Sequence, residues 1–193
     1  MKISHIKSSE LITNKWAGGT TTQLAIFPEN ASYKDRDFLF RISTATVESE
    51  ESVFTKLQGI QRKLMILDGE IKIEHEGHYS KIIKKFEQDE FSGDWDTKSY
   101  GKATDFNLMA REKATGEIEA YTVSDFIKLK VNEDFDYLGI YLYTGKAGIK
   151  ISNQDYLLNS SDFCSFLTEK EEIEIYIEPI VKSEFIITMV KFG

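Results

Sequence analysis

The stretch LMILDGEIKIEHEGHYSKIIKKFEQDEF, residues 64–91, consists of short apolar segments separated by turn signals, and part of it has a period of two. Ile71 and Ile73 alternate with charged neighbours, which is the pattern of a strand buried on one face. Asp68-Gly69 is a strong signal for a two-residue hairpin turn, and Glu76-Gly77 is a weaker one. The stretch therefore predicts a β-meander.

A second stretch, IYLYTGKAGIKISNQDYLLNSSDFCSF (140–166), follows the same order of features. In both stretches an apolar strand leads into a glycine turn, two further strands and an acidic residue before aromatic ones. Gly145 then corresponds to Gly69, and Asp162 to Asp89. Such an internal repeat is typical of two cupin half-barrels.

The rest of the chain continues the period of two, and no segment has a convincing helical period. We therefore expect an all-β fold, a double cupin-like (bicupin) β-barrel or sandwich with few short helical turns. Its predicted parts are an N-terminal cupin-like barrel at 1–115 and a C-terminal cupin-like half at 116–193, packed as one compact unit.

Composition excludes several classes of protein. The 193 residues include 24 Lys and Arg against 32 Asp and Glu, and the resulting net charge of −8 opposes binding to nucleic acid or anionic membranes. No stretch approaches the roughly 18 apolar residues of a membrane helix, and the N-terminus lacks the pattern of a signal peptide. The single Cys164 cannot form an internal disulfide. We expect a cytoplasmic protein.

Metal and thiol chemistry find little support in the sequence. His75 and His78 are the only close pair of histidines, and we interpret them as solvated residues of a turn. The second half of the chain contains no histidine that could complete a metal site, so we expect neither a metal nor another cofactor. Cys164 lies between aromatic residues, as a buried and inert thiol does.

Arginines on strands are the strongest indication of a site. Arg41 shares a strand face with Ser43 and Ala45, and Arg62 opens another strand. An arginine inside a barrel must be paired or must bind an anion, and its guanidinium matches a carboxylate with two parallel hydrogen bonds.

A third strand places Asp105, Asn107 and Met109 on one face, which Arg111 continues. Two interpretations stay open. Arg41 or Arg111 forms an internal pair with Asp105 or with Asp94, or the arginines bind a ligand.

The segment Trp16-Ala17-Gly18-Gly19-Thr20 is unusual but lacks the lysine and the spacing of a phosphate-binding loop. It is either a tight turn that leads into a strand, or a loop whose amides and threonine hydroxyls face a small anion.

Five motifs in order resemble those of the HutD/Ves family. They span residues 16 to 111 and are Trp16-x-Gly-Gly-Thr, Phe40-Arg41-Ile42-Ser43-x-Ala45, Phe54 followed by Gly59-Ile60-x-Arg62, Phe91-x-Gly93-Asp94, and Asp105-x-Asn107-x-Met109-x-Arg111. Two positions depart from the family pattern: Gln61 stands where the family usually has aspartate, and Ala17 where it usually has asparagine.

The resemblance implies a double cupin-like fold without the usual cupin metal, and a role in binding a small metabolite or in regulation, linked to histidine utilisation or to stress response. We expect a small carboxylate ligand, held by Arg62. The other expected ligand-binding residues are Arg41 as a second charge or brace, Ser43 and Asn107 as hydrogen-bonding groups, Trp16 as an apolar wall, Gly18, Gly19 and Thr20 as a closing loop, and Asp105.

Two other classes of function remain as alternatives. One is a metal-independent enzyme, an isomerase or hydrolase of a small acid, in which Asp105, Asp94 or a glutamate is the general base. The other is an interaction module, for which a homodimer formed by sheet extension is a candidate assembly.

Overall fold

The structure is a computed structural model, and it describes residues 2–111 and 113–192. Over this range its regular secondary structure consists of strands and one 3-10 turn, Ser8–Glu10, so the expectation of an all-β fold is confirmed. The described residues include no helix long and apolar enough to cross a membrane. The described residues divide into an N-terminal unit, residues 12–111 with 113–114, and a C-terminal unit, residues 2–11 with 115–192.

The N-terminal unit is a nine-stranded antiparallel sheet with the strand order β2-β3-β4-β10-β6-β9-β5, in which β7 and β8 also pair with β6. Its strands are β2 (Ile12–Trp16), β3 (Gly19–Phe27), β4 (Phe40–Val47), β5 (Glu51–Val53), β6 (Ile60–His75), β7 (Tyr79–Lys84), β8 (Gln88–Ser92), β9 (Thr97–Tyr100) and β10 (Ala103–Arg111).

The long strand β6 runs through the position where the sequence predicted a hairpin. Its first part pairs with β8 and β10, and its second part pairs with β7 and β9. Gly69 lies at the change of partners with φ +85°, and a Cβ there would lie 2.5 Å from the Lys102 carbonyl oxygen. The hairpin prediction at Asp68-Gly69 was therefore wrong, since this glycine bends a continuous strand. The turn between β6 and β7 is instead at Gly77, the weaker of the two signals.

The C-terminal unit is a seven-stranded antiparallel sheet with the order β1-β15-β13-β16-β11, in which β12 pairs with β16 and β14 with β13. Its strands are β1 (Ser4–Ile6), β11 (Thr115–Val123), β12 (Ile127–Val131), β13 (Tyr137–Ile151), β14 (Gln154–Asn159), β15 (Phe163–Leu167) and β16 (Ile173–Lys191). The sequence assigned residues 1–115 to the first part, whereas β1 pairs with β15. A local pattern cannot show such a pairing, because about 160 residues separate the partners.

The repeat reappears as a structural correspondence. Strand β13 passes through Gly145, which has φ +107° and where a Cβ would lie 2.3 Å from Ser183 Oγ. Gly145 thus corresponds to Gly69 in conformation as well as in sequence, and Asp89 and Asp162 are both buried.

The interiors of the two units differ. Seventeen buried residues, almost all aliphatic or aromatic and drawn chiefly from β13, β14, β15 and β16, form one apolar cluster in the C-terminal unit. In the N-terminal unit the apolar residues form smaller clusters, one around Leu64 and Ile66 and one around Phe38 and Ile60. Polar residues occupy the remaining inner face of its sheet, and that face carries the candidate site.

Candidate functional site

A cavity of about 410 Å³ lies in the N-terminal unit, which is within the range of small-molecule sites. Inner-face residues of β4, β6 and β10 line it, together with residues of β2 and β5. The lining includes three cationic side chains, Lys15, Arg41 and Arg62, against one acidic side chain, Asp105. The charge of the lining therefore favours an anion, although the whole chain is acidic.

Strand register sets the arrangement of the polar groups. Met109 of β10 pairs with Arg41 of β4 on one side and with Arg62 of β6 on the other, so the two arginines flank it in one row. Asn107 pairs with Ser43 in the next row. Because successive residues of a strand alternate between faces, all five side chains face the same side of the sheet.

Arg41 is held by neutral groups. Its Nε donates to Gln23 Oε1 at 2.9 Å, its Nη1 donates to Ser43 Oγ at 3.1 Å, and its Cζ lies 4.5 Å from the centre of the Tyr33 ring. Burial lowers the pKa of Arg41, and the nearby Tyr33 opposes this effect. Its partners among the described residues are the neutral groups of Gln23, Ser43 and Tyr33, so its positive charge stays available to a ligand.

Arg62 has still fewer polar partners. Its guanidinium lies between two rings, 4.7 Å from the centre of Phe54 and 5.3 Å from that of Phe91. Its Nε is buried, and within residues 2–111 and 113–192 it has no hydrogen-bond partner. Burial lowers the pKa of Arg62 to about 10, and the charges of its surroundings only partly oppose this. The arginine remains protonated at neutral pH and has donors to offer.

Two acceptors on β10 are also without partners. Asp105 and Asn107 are each 6% exposed, and in the part of the chain that the structure describes their Oδ1 atoms accept no hydrogen bond. Burial raises the pKa of Asp105 to about 7, although the positive charge of Arg62 opposes the increase. Since buried polar groups are normally hydrogen-bonded, three such atoms on side chains that line one cavity indicate a ligand site.

The structure brings together most of the residues that the sequence singled out. Trp16, Arg41, Ser43, Arg62, Asp105 and Asn107 all line the cavity. Arg41 and Arg62 therefore share one cavity. Ligand binding itself stays a prediction for each of them.

Gly18, Gly19 and Thr20 do not belong to the residues that line the cavity. Gly19 begins β3 and pairs with Val47, and a Cβ at this position would lie 1.9 Å from the Thr46 carbonyl oxygen. The glycine is required by the close approach of β4, and we therefore favour the tight turn over the anion loop.

The internal Arg–Asp pairs also do not form among the described residues. Arg111 donates to the carbonyl oxygen of Arg36, outside the cavity. Asp94 accepts hydrogen bonds from the Gly59 amide and from Ser92 Oγ, also outside it, so Asp94 loses its place as a candidate base.

Sequence reasoning missed two parts of the wall. Tyr33 reaches Arg41 from the segment between β3 and β4, where no periodicity marks a face. Phe54 appeared only as a motif residue, and its packing against Arg62 became visible in three dimensions. The alternation of Thr21 and Gln23 along β3 could have placed Gln23 on the same face as Thr21, which lines the cavity, but its contact with Arg41 depends on the pairing of β3 with β4.

His75 corrects the expectation of solvated turn histidines. It is 2% exposed, its Nδ1 lies 2.8 Å from Thr97 Oγ1, and its Nε2 lies 2.8 Å from Asp89 Oδ2. His78 does lie beyond the strand, stacked on Trp95 at 3.9 Å. No group of three or more His, Cys, Asp or Glu side chains among the described residues could hold a metal ion. Cys164 is buried as expected, and burial raises its pKa to about 12.

Comparison with known proteins agrees with this architecture. The chain is similar to a conserved protein of unknown function from Pseudomonas aeruginosa PAO1, with a TM-score of 0.86, 17% identity and 100% of both chains covered. HutD from Pseudomonas fluorescens SBW25 gives a TM-score of 0.74 at 17% identity, again with 100% of both chains covered. A cupin 2 conserved barrel protein from Leptotrichia buccalis gives 0.60 at 12% identity, covering 99% of this chain and 98% of that one.

At these identities the likeness concerns the fold, and it confirms the cupin-like expectation. A search of curated proteins finds none that matches. The model of one protein family, HutD, matches residues 8–181. Five motifs over the first half of the chain predicted this family, and the family model also matches most of the second half. The chain belongs to the HutD family.

Proposed function

We propose that this chain is a cytoplasmic binding protein for a small carboxylate metabolite, with a regulatory role in histidine utilisation or stress response. The observation that carries the proposal is the set of unpartnered buried atoms on Arg62, Asp105 and Asn107 around one cavity. Two guanidinium groups there supply the planar donors that suit a carboxylate. The family name supports the link to histidine utilisation.

Thermal unfolding in the presence of a panel of small acids tests this proposal. The panel contains urocanate, histidine, glutamate, formylglutamate and formate, with neutral sugars as controls. A ligand at about 100 times its Kd stabilises a protein by about 2.7 kcal/mol, which for a chain of this size raises Tm by roughly 5–10 °C. We expect at least one acid, and no sugar, to give such a shift.

Two substitutions tie the shift to the cavity. Arg62→Ala removes the guanidinium, and Arg62→Met removes it while keeping much of the packing between Phe54 and Phe91. Both should abolish the shift, and Arg111→Met, outside the cavity, should retain it. An acid that still binds the folded Arg62→Met variant with unchanged affinity contradicts the proposal.

A second candidate function is catalysis on the same ligand. It is favoured by the burial that raises the pKa of Asp105 to about 7, since a general base works best when its pKa lies near the working pH. The test is conversion of any acid that stabilises the protein. Conversion that disappears in Asp105→Asn while binding remains supports an enzyme, and absence of conversion leaves the binding protein as the better assignment.

Homodimerisation also remains a proposal. Its support is β2, whose five residues are exposed and which pairs only with β3 among the described strands, so that its outer edge can extend the sheet. Light scattering at several protein concentrations distinguishes the dimer from a monomer.

A further inference from the structure

We infer that the carboxylate bound in this cavity also carries an N–H or O–H group, and that Asp105 and Asn107 select it through that group. The inference rests on the proposed function and specifies the class of ligand. It follows from the unpartnered atoms, which are of two opposite kinds. Arg62 offers donors, whereas Asp105 and Asn107 offer acceptors.

The donors define one end of the ligand. Within residues 2–111 and 113–192 the buried Nε of Arg62 has no hydrogen-bond partner, and the guanidinium packs between the Phe54 and Phe91 rings. Arg41 donates hydrogen bonds to Gln23 and Ser43, which are neutral, so its positive charge also attracts a carboxylate. A carboxylate satisfies such donors but has no hydrogen to give in return.

The acceptors define the other end. Asp105 and Asn107 are two residues apart on the same face of β10, which places their side chains roughly 7 Å apart along the strand. A ligand that consists of a carboxylate alone leaves both acceptors without a donor and adds a like charge close to Asp105. A ligand with an N–H or O–H beyond its carboxylate supplies what is missing.

The two acceptors are not equivalent. Rotation of the Asn107 amide by half a turn exchanges its acceptor oxygen for two donors, so Asn107 can adapt to either kind of ligand. Asp105 cannot adapt while it is ionised. It is therefore the residue that rejects ligands without a donor, unless it takes up a proton and becomes a donor itself.

Pairs of acids of the same shape, one with an N–H donor and one without, test whether the cavity requires the donor. Pyrrole-2-carboxylate and furan-2-carboxylate have similar shapes, but only the first carries an N–H, and indole-2-carboxylate and benzofuran-2-carboxylate form a larger pair of the same kind. We add both pairs to the panel and measure Kd by calorimetry at about pH 8.5, well above the pKa of Asp105 at about 7. We expect only acids with a donor to bind well, and at least about tenfold tighter than their donor-free counterparts.

Substitution assigns the preference to Asp105. Asp105→Asn replaces the fixed acceptor by an amide that can donate, and it should reduce the preference to about twofold or less. Asp68→Asn removes an exposed carboxylate from β6 outside the cavity and should leave the preference unchanged.

Each other result is decisive. Equal binding of donor-free acids at high pH overturns the inference and leaves the proposed function intact. Binding of donor-free acids only below about pH 7, with uptake of a proton, also overturns it, because Asp105 then provides the donor. If no acid of the panel binds at any pH, the proposed function fails, and the inference fails with it.

Discussion

Asp105 and Arg62 line the same cavity, and the guanidinium opposes the effect of burial on the carboxyl group without forming a salt bridge with it. Burial raises the pKa of the acid to about 7 and lowers that of the base to about 10. A buried pair that formed a close ion pair would show the reverse for the acid. The two groups therefore line one cavity as charges that influence each other, and each keeps a buried polar atom without a partner among the described residues.

The contribution of Asp105 to the stability of the ligand-free protein should fall as the pH rises towards 7. A carboxyl whose pKa is raised in the folded state stabilises fully below its unfolded pKa of about 3.9, and this contribution disappears as the pH rises to about 7. Asp105→Asn removes the effect, so the variant should gain roughly 2–3 kcal/mol over the wild type between about pH 5 and pH 8. Urea unfolding at both pH values measures the gain, and parallel pH profiles of the two proteins would contradict the assignment.

Asp89 should be essential for the stability of the N-terminal unit. Its carboxylate contacts His75 Nε2 at 2.8 Å, the Tyr79 hydroxyl at 3.0 Å and Lys81 Nζ at 2.6 Å, and it is 4% exposed. Asp89→Ala leaves the buried His75 ring nitrogen without its hydrogen-bond partner and should reduce the free energy of unfolding by about 2–3 kcal/mol. Tyr79→Phe removes one hydrogen bond and should reduce it by only about 1 kcal/mol. Chemical denaturation compares the two, and equal losses would mean that the His75 contact contributes little.

Asp162 should hold the N-terminal segment, residues 2–11, against the other strands of the C-terminal unit. Its carboxylate accepts hydrogen bonds from the amides of Ser8 at 2.8 Å and Asn159 at 2.9 Å. Burial raises its pKa, but these hydrogen bonds and the contact with His5 outweigh burial and lower it overall. The stabilisation is therefore present at neutral pH and is lost as the pH falls through the lowered pKa.

Hydrogen exchange measures this role directly. Asp162→Ala should accelerate exchange of the Ser8 and Asn159 amides and reduce stability by about 1–3 kcal/mol. Asp155→Ala, on the exposed start of β14, is the control. Unchanged exchange at Ser8 in the Asp162 variant would show that β1 is held by its pairing with β15 alone.

Gly69 should tolerate alanine less well than Gly77 does. Both have positive φ, +85° and +76°, so alanine introduces backbone strain of about 1–2 kcal/mol at either position. Only at Gly69 does the added Cβ also meet a backbone oxygen, at 2.5 Å, whereas at Gly77 nothing lies within 4 Å. Gly69→Ala should therefore lower Tm clearly more than Gly77→Ala does, and equal shifts would mean that β6 can move away from Lys102.

The faces of the strands could be predicted from the sequence, and their neighbours could not. Alternation placed Arg41 with Ser43 and Asp105 with Asn107 on common faces, and the structure has them so. It did not show that β10 lies between β4 and β6, because that order arises from pairings between residues far apart in the chain. Whether the arginines were paired with acids or left open depended on this order.

The same alternation, carried two residues further, would have corrected the interpretation of His75. Ile71, Ile73 and His75 share one face of β6, and all three are buried. The prediction for His75 was wrong because it placed His75 in the turn at Gly77, whereas His75 is the last residue of β6. At Gly69 a turn was likewise assigned to residues of a strand, since a positive φ within a strand and a hairpin turn have the same sequence signal.

The row formed by Arg41, Met109 and Arg62 bears on how this site can evolve. Hydrogen-bonded strands are spaced by about 4.8 Å, so the backbones of the two arginines are fixed roughly 10 Å apart whatever residue lies at position 109. Met109 lines the cavity between the two arginines. A smaller, larger or polar side chain at position 109 would change the depth and polarity of the cavity there, while the distance between the two charged positions stays the same. New ligand preferences can thus arise by exchange of a single side chain, with no change to the main chain that carries it.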